Sequence, residues 1–374
     1  ASASASSPAG VAMAVAAAAS SSSKQLCVRA AGFIGSNLSE HILAHRDWEI
    51  YGMDIQSDKL GACLEHPRFH FVEGDILINR EWIEYHVKKC DLVMPLVAIA
   101  TPATYVERPL DVFELDFEAN LHVIRYCVRY GKRVLFPSTS EVYGMSEAAE
   151  FDEEETALVM GPIRMQRWIY ACSKQLLDRV IYAYGQRDGL PFTLFRPFNW
   201  IGPRLDNIWA PKEGSSRVLT QFIGNIIRRS DIYLVDGGAQ RRCFLFIDDA
   251  VDALMRLIEN ENGCADGQIF NIGSPKNELS IKALAEELID LIAAYPGFED
   301  VRDTVKLVPV EAEGYYGKGY QDIQVRVPSI ARIGERTGWK PSTPIREALT
   351  RTLDYYLLDR HTAAAQALLE RGQG

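Results

Sequence analysis

Gln25-Leu26-Cys27-Val28-Arg29-Ala30-Ala31-Gly32-Phe33-Ile34-Gly35 begins the stretch that decides the fold, and Glu49-Ile50-Tyr51-Gly52-Met53-Asp54 completes it. Gln25–Arg29 reads as a short apolar strand, followed by a turn at Gly32 and a helix through Leu38, Ile42 and Leu43. A second strand then ends in an acid. Strand, glycine turn, helix, strand and acid within about 30 residues is the layout of a dinucleotide-binding βαβ unit. In that unit the helix N-terminus receives a pyrophosphate, and the acid accepts from ribose hydroxyls. Asp54 lies 19 positions after Gly35, the separation such a unit needs. A carboxylate there also repels a 2′-phosphate, which favours NAD over NADP. Gly32, Phe33, Ile34, Gly35 and Asp54 are therefore the candidate cofactor contacts. One position departs from the pattern. The first glycine of the turn should stand at position 29, where this chain has Arg29, and a Cβ is poorly tolerated in a tight turn.

Strands and helices go on alternating. Phe69–Val72 leads to Asp75 and Ile76, a strand end where an adenine edge can be read, and Asp91–Leu96 leads to the small-residue loop ending at Pro102. A helix is expected over Phe113–Gly131, then a strand over Arg133–Phe136 that runs into Thr139, Ser140 and Glu141. This order predicts an α/β fold: a Rossmann-like, doubly wound parallel sheet, with ligands at the carboxyl ends of its strands. A smaller C-terminal α/β lobe is expected after it. Tyr170 and Lys174 are four apart at the start of an apolar-periodic segment through Leu176, Leu177, Val180, Ile181 and Tyr184. On a helix they stack on one face. The ammonium then favours the phenolate and lowers the phenol's pKa, which suits removal of a hydroxyl proton.

Composition sets outer bounds. With 374 residues, 47% hydrophobic and 24% charged, the chain reads as globular, and its net charge of -10 argues against nucleic acid as a partner. The seven cysteines form no Cys-x-x-Cys pair, so neither a zinc site nor a disulfide framework is indicated, and no metal is expected. Reduced thiols in the cytoplasm are the expectation. Residues 1–23 are almost all Ala and Ser. They read as an unstructured, tag-like segment whose apolar run is too short to span a bilayer, and no membrane insertion is expected.

Gly-Phe-Ile-Gly, Ser-Thr-Ser-Glu-Val-Tyr-Gly, Tyr-x-x-x-Lys and Arg-Pro-Phe-Asn-Trp-Ile-Gly-Pro resemble the extended short-chain dehydrogenase/reductases that act on nucleotide sugars. Narrower motifs are Phe113–Asn120, Pro95–Pro102, Arg167–Lys174 and Tyr315–Asp322. They resemble the UDP-glucuronic acid oxidative decarboxylases, including the dehydrogenase domain of the bacterial polymyxin-resistance enzyme of lipid A modification. The resemblance runs from about Lys24 to Trp339. It implies an NAD-dependent oxidoreductase and decarboxylase that converts UDP-glucuronate to UDP-4-keto-pentose, with or without reduction to UDP-xylose. Tyr170 and Lys174 would oxidise the C4 hydroxyl beside Thr139, while Arg326, Glu141 and Ser140 assist loss of CO2 and protonation. It also implies UDP-sugar contacts at Ala100, Tyr105, Arg167, Asn199, Arg217, Arg242 and Tyr320. Where the resistance enzyme has Lys, this chain has Tyr233. The expected organisation is a dinucleotide-binding domain over residues 24–198 with later segments returning to it. A UDP-sugar lobe covers mainly residues 199–345, and a last helix and tail cover residues 346–374. A homodimer or higher homo-oligomer follows by analogy. Two alternatives stay open: a UDP-sugar epimerase or dehydratase on the same scaffold, and a nucleotide-sugar binding protein whose NAD binding is impaired by Arg29.

Overall fold

In the computed structural model the described residues are 24–28, 30–209, 217–316 and 318–358. Residues 1–23, 29, 210–216, 317 and 359–374 lie outside them.

Six strands follow in chain order: β1 (Lys24–Val28), β2 (Glu49–Asp54), β3 (Phe69–Glu73), β4 (Leu92–Pro95), β5 (Arg133–Pro137) and β6 (Phe192–Pro197). A further strand, Gln268–Ile272, adds itself beyond β6. The sheet order is Gln268–Ile272, β6, β5, β4, β1, β2, β3, and every pairing is parallel. The order reverses between β1 and β4, so a crevice opens there at the carboxyl ends of the strands. The expected doubly wound sheet is present.

Both faces are covered, and β5 shows how. Val134, Leu135 and Phe136 are all 0% exposed. Leu135 packs into one apolar cluster, while Val134 and Phe136 pack into the other on the opposite face. Successive side chains of a strand point to opposite faces, so a strand sandwiched between helices must be apolar throughout.

The segment expected as one helix over Phe113–Gly131 is a helix in three parts. Pro109–Phe113 and Asn120–Tyr130 are α-helical, and a π-helical turn, Glu114–Ala119, joins them. Such turns widen a helix locally and often mark functional sites. Here the turn carries the buried Asp116, whose Oδ1 accepts from Ile99 N at 2.7 Å. One turn on, Asn120 Nδ2 donates to Val97 O at 2.9 Å. The loop after β4 is thereby held from beneath.

Smaller sheets complete the molecule. Arg241–Cys243 pairs with Glu278–Ser280 and with Val325–Arg326, and Ile232–Val235 pairs with Leu307–Val310. Among the described residues, no helix is long and apolar enough to cross a membrane.

Between β5 and the helix Trp168–Asp188 runs an irregular segment that docks onto this second part. Gly144 starts it at φ 58°, and a Cβ there would stand 1.9 Å from Val159 O, so only glycine fits. Phe151 N donates to Val327 O at 2.7 Å and Ser329 N donates to Phe151 O at 2.8 Å. The next residue but one, Glu153, is buried. Its Oε1 accepts from Asn271 N at 2.7 Å, and Oε2 stands 3.9 Å from Arg332. Burial pushes this carboxyl up to about 7, against the pull of the Asn271 hydrogen bond and of Arg332.

A folded chain whose carboxyl titrates above its unfolded value binds more protons between those two values. That part of its stability is present at low pH and is lost as pH rises through about 7. The Glu153→Gln variant should therefore lose about 1–3 kcal/mol less stability than the unsubstituted chain between pH 5 and 8. Denaturant melts across that range measure it, and identical pH slopes would refute it.

Candidate active site

The turn after β1 is built against β2. A Cβ on Gly52 would stand 2.7 Å from the Ala30 methyl, so glycine in β2 lets the turn lie close. Ala31 N donates to Asp54 Oδ2 at 2.9 Å, and Ile55 N donates to Oδ1 at 2.8 Å. Gly32 is the N-cap of the helix Phe33–His45 and offers no side-chain cap. The helix N-terminus thus presents amides and its positive dipole end to the crevice.

Two adjoining cavities line this edge. One, of about 250 Å³, is bounded by Gly32, Phe33, Ile34, Gly35, Ser138, Thr139, Tyr170 and Lys174. The other, of about 390 Å³, is bounded by Asp54, Asp75 and Ile76. Both touch Gly32, Lys59, Ala98, Ala100 and Thr101, so they form one groove along the switch point. An uncapped helix N-terminus at its middle and a strand-end carboxylate at one side fit a dinucleotide's pyrophosphate and ribose. Every cofactor-contact residue expected from the sequence lies on this groove.

A third cavity, of about 240 Å³, adjoins it through Ala100, Thr139, Tyr170, Pro197 and Arg217. Ala100, Tyr105, Arg167, Asn199, Arg217, Arg242 and Tyr320 line it, together with Thr139, Ser140, Glu141, Tyr170 and Arg326. All the substrate-contact residues expected from the sequence are brought together here. Tyr170 is at the junction of groove and cavity, and Lys174 faces the groove alone.

The helix Trp168–Asp188 buries Tyr170 and Lys174 on one face, with Leu177, Asp178 and Ile181. The buried stripe differs from the expected one. Leu176 is 47% exposed, whereas the unanticipated Asp178 is buried. Tyr170 stacks on Tyr105 with ring centroids 4.8 Å apart and planes 6° from parallel. Lys174 Nζ donates to Pro137 O at 3.1 Å and lies 4.9 Å from the Phe136 ring centroid.

The acidity expected for Tyr170 needs correction. Its phenol is held well above the ordinary value, first by burial and then by the Asp116 and Glu141 carboxylates. A Thr139 hydrogen bond and Arg217 pull the other way without overcoming this. Desolvation of a charged form outweighs what one cation on the same helix can return.

The cavity's opposite wall is cationic. Glu141 lies between two guanidinium groups, with Oε2 3.3 Å from Arg167 and Oε1 3.6 Å from Arg326. Arg326 Nη1 also donates to Ser140 Oγ at 3.4 Å. Arg326 enters on the strand Val325–Arg326 beside Arg241–Cys243 and is 8% exposed. Burial, and then Arg242, push its guanidinium down to about 10, while Glu141 and Asp322 oppose them. Arg242 Nη2 donates to Asp322 Oδ1 at 2.8 Å. Arg167 is 1% exposed and lies over Trp168 and Tyr320. Among the described residues its Nε has no hydrogen-bond partner. Such donors suit an anionic ligand. Tyr316 stacks on Tyr320 at 4.0 Å, and Asn199 takes φ 42°, a conformation asparagine tolerates, while Asn199 Nδ2 donates to Cys243 O.

Lys59, Tyr316, Asp322 and Asp178 were not anticipated. Tyr316 and Asp322 lie inside the Tyr315–Asp322 motif, Asp178 stands one turn beyond Lys174, and Lys59 carries no local signal.

The chain matches the family model described as NAD dependent epimerase/dehydratase family over residues 30–273. It is similar to the PbgP3 protein from Burkholderia pseudomallei at 53% identity, covering 93% of this chain and 99% of that one, with a TM-score of 0.84. It shares its fold with UDP-glucuronic acid 4-epimerase from Bacillus cereus, solved with UDP-glucuronic acid and NAD. That match has 19% identity, 89% and 98% coverage and a TM-score of 0.74. A dTDP-glucose 4,6-dehydratase from Bacillus anthracis, solved with NAD, matches at 20% identity, 91% and 98% coverage and a TM-score of 0.72. On these matches and on the groove and cavity just described, the chain belongs to the NAD dependent epimerase/dehydratase family, with NAD as its cofactor.

Proposed function

We propose that this enzyme oxidises UDP-glucuronate at C4 and decarboxylates it. The observation that carries the reading is the buried Arg326, 3.4 Å from Ser140 and facing the same cavity as Tyr170. A neutral hexose offers a buried guanidinium only hydroxyl acceptors, whereas a sugar carboxylate forms a shorter, charge-assisted pair with it. The Arg167–Lys174 and Tyr315–Asp322 motifs support the same substrate class.

In this reading Gly32, Phe33, Ile34, Gly35 and Asp54 would hold NAD⁺ along the groove, where it would supply the acceptor for the C4 hydride. Tyr170 takes the C4 hydroxyl proton as its own phenol proton passes to solvent through the groove, with Lys174 beside it and Thr139 hydrogen-bonded to its phenol. The C4 ketone leaves the C5 carboxylate β to a carbonyl. Its C–C bond breaks, CO2 departs, and the electron pair enters an enolate. Arg326 holds the carboxylate, stabilises the enolate charge and donates the proton that C5 takes up, which solvent then returns to it. Arg167, Arg217 and Arg242 then hold the diphosphate, and the Tyr316–Tyr320 stack faces the base.

Incubation with UDP-glucuronate and NAD⁺, following CO2, NADH and sugar products, tests the proposal. CO2 with UDP-4-keto-pentose or UDP-xylose supports it. Conversion to UDP-galacturonate without CO2 would make the chain an epimerase, and NAD-independent binding without turnover would make it a binding protein.

A further inference from the structure

Tyr170, Lys174 and Asp178 stand one turn apart on the buried face of the helix Trp168–Asp188. Opposite them are three consecutive residues at the end of β5, and each meets one of the three. Pro137 O accepts from Lys174 Nζ at 3.1 Å, Ser138 Oγ donates to Asp178 Oδ2 at 2.6 Å, and the Thr139 side chain hydrogen-bonds the Tyr170 phenol. Arg196 of β6 stands 3.8 Å from the same Asp178 oxygen. Its Nη1 donates to Tyr143 OH at 2.8 Å, which donates to Asn271 Oδ1 at 2.8 Å. The network thus ties the helix to β5, β6 and the loop that carries Ser140 and Glu141.

Asp178 is 6% exposed, and among the described residues its Oδ1 has no hydrogen-bond partner. Burial raises its carboxyl to about 6 despite Arg196 and Ser138. Stability alone is a poor account of such a group, because apolar residues usually replace buried ion pairs without loss. What an apolar residue cannot reproduce is the acceptor for Ser138.

We infer that Asp178 is a positioning residue: it locks the register of the helix against the end of β5, so that Lys174 and Thr139 bear on Tyr170 together. The inference rests on Tyr170 and Lys174 being the reacting pair of the proposed function. Misplacement of a reacting group by about 1 Å can cost on the order of 100-fold in rate, which sets the scale of the test.

Asp178→Ala should lower kcat about 10- to 100-fold while KM and the NAD dissociation constant stay within about threefold. Asp178→Asn should recover part of the loss, because its amide oxygen can still accept from Ser138. Ser138→Ala, which leaves the Arg196–Asp178 pair in place, should lower kcat in the same direction and covers the case in which Asp178→Ala fails to fold. Crystal structures of Asp178→Ala or Ser138→Ala should show the Lys174–Pro137 contact opened and Thr139 withdrawn from Tyr170. Unsubstituted kcat in both variants, or an unmoved β5 end in both structures, would overturn the inference. Failure of the unsubstituted chain to release CO2 would instead strike the proposed function, and the variant structures would still decide this point.

Discussion

Replacing Tyr170 with Phe should lower kcat for UDP-glucuronate oxidation by about 10²- to 10⁴-fold, the range that loss of a positioned general base produces. KM and the NAD dissociation constant should change by less than about threefold, since the ring stays stacked on Tyr105 and only the hydroxyl is lost. Loss of the Thr139 hydrogen bond should cost about 1 kcal/mol of stability, too little to explain such a rate effect. The effect follows from the phenol's setting. Burial and two carboxylates keep it protonated at neutral pH, so its proton must be exchanged as the hydroxyl ionises and not stored beforehand as phenolate. Single-turnover NADH formation, read by absorbance, measures the loss. A variant within tenfold of the unsubstituted enzyme would remove Tyr170 from the chemistry.

Arg326→Met should separate the two halves of the reaction. CO2 release should fall about 10²- to 10³-fold, the usual effect of deleting one donor to a developing anion. NADH formation in the first turnover should fall by less than about tenfold, since Tyr170 and the groove are untouched. The cation is buried and held at a lowered pKa of about 10, so an apolar replacement of similar length need not unfold the chain. Its Glu141 partner retains Arg167. Labelled substrate with trapping of CO2 gives one readout and absorbance the other. Equal losses in both would show that Arg326 only binds substrate, and CO2 release at the unsubstituted rate would end its assigned role.

Much of the fold was legible because a parallel sheet covered on both faces needs short, continuous apolar runs. Val134-Leu135-Phe136 is such a run, and the expected limits of β1 to β5 lie within one residue of those observed. Gln268–Ile272 was not foreseen. It mixes polar and apolar residues, and its register partner for Gln268 is the distant Thr193. Val325–Arg326 carries no strand signal either, since two residues pair only because Arg241–Cys243 is already in place. The site was legible wherever its residues fall inside compact motifs. Asp178 escaped because the helix face was drawn through Leu176, about one position from the buried stripe. Tyr170's acidity was misjudged for a related reason. Spacing shows which charges are neighbours, but it does not show how much water the fold removes.

The arginines of the sugar cavity sit in a chain whose net charge is -10. At physiological salt the net negative field of the molecule is largely screened beyond about 8 Å, and within that distance it repels an arriving anion. Inside the cavity Arg167, Arg217, Arg242 and Arg326 outnumber the carboxylates Glu141 and Asp322, so the local charge is positive. Attraction is therefore short in range and reserved for anions shaped to enter. The enzyme gives up long-distance capture and places its selection at the threshold.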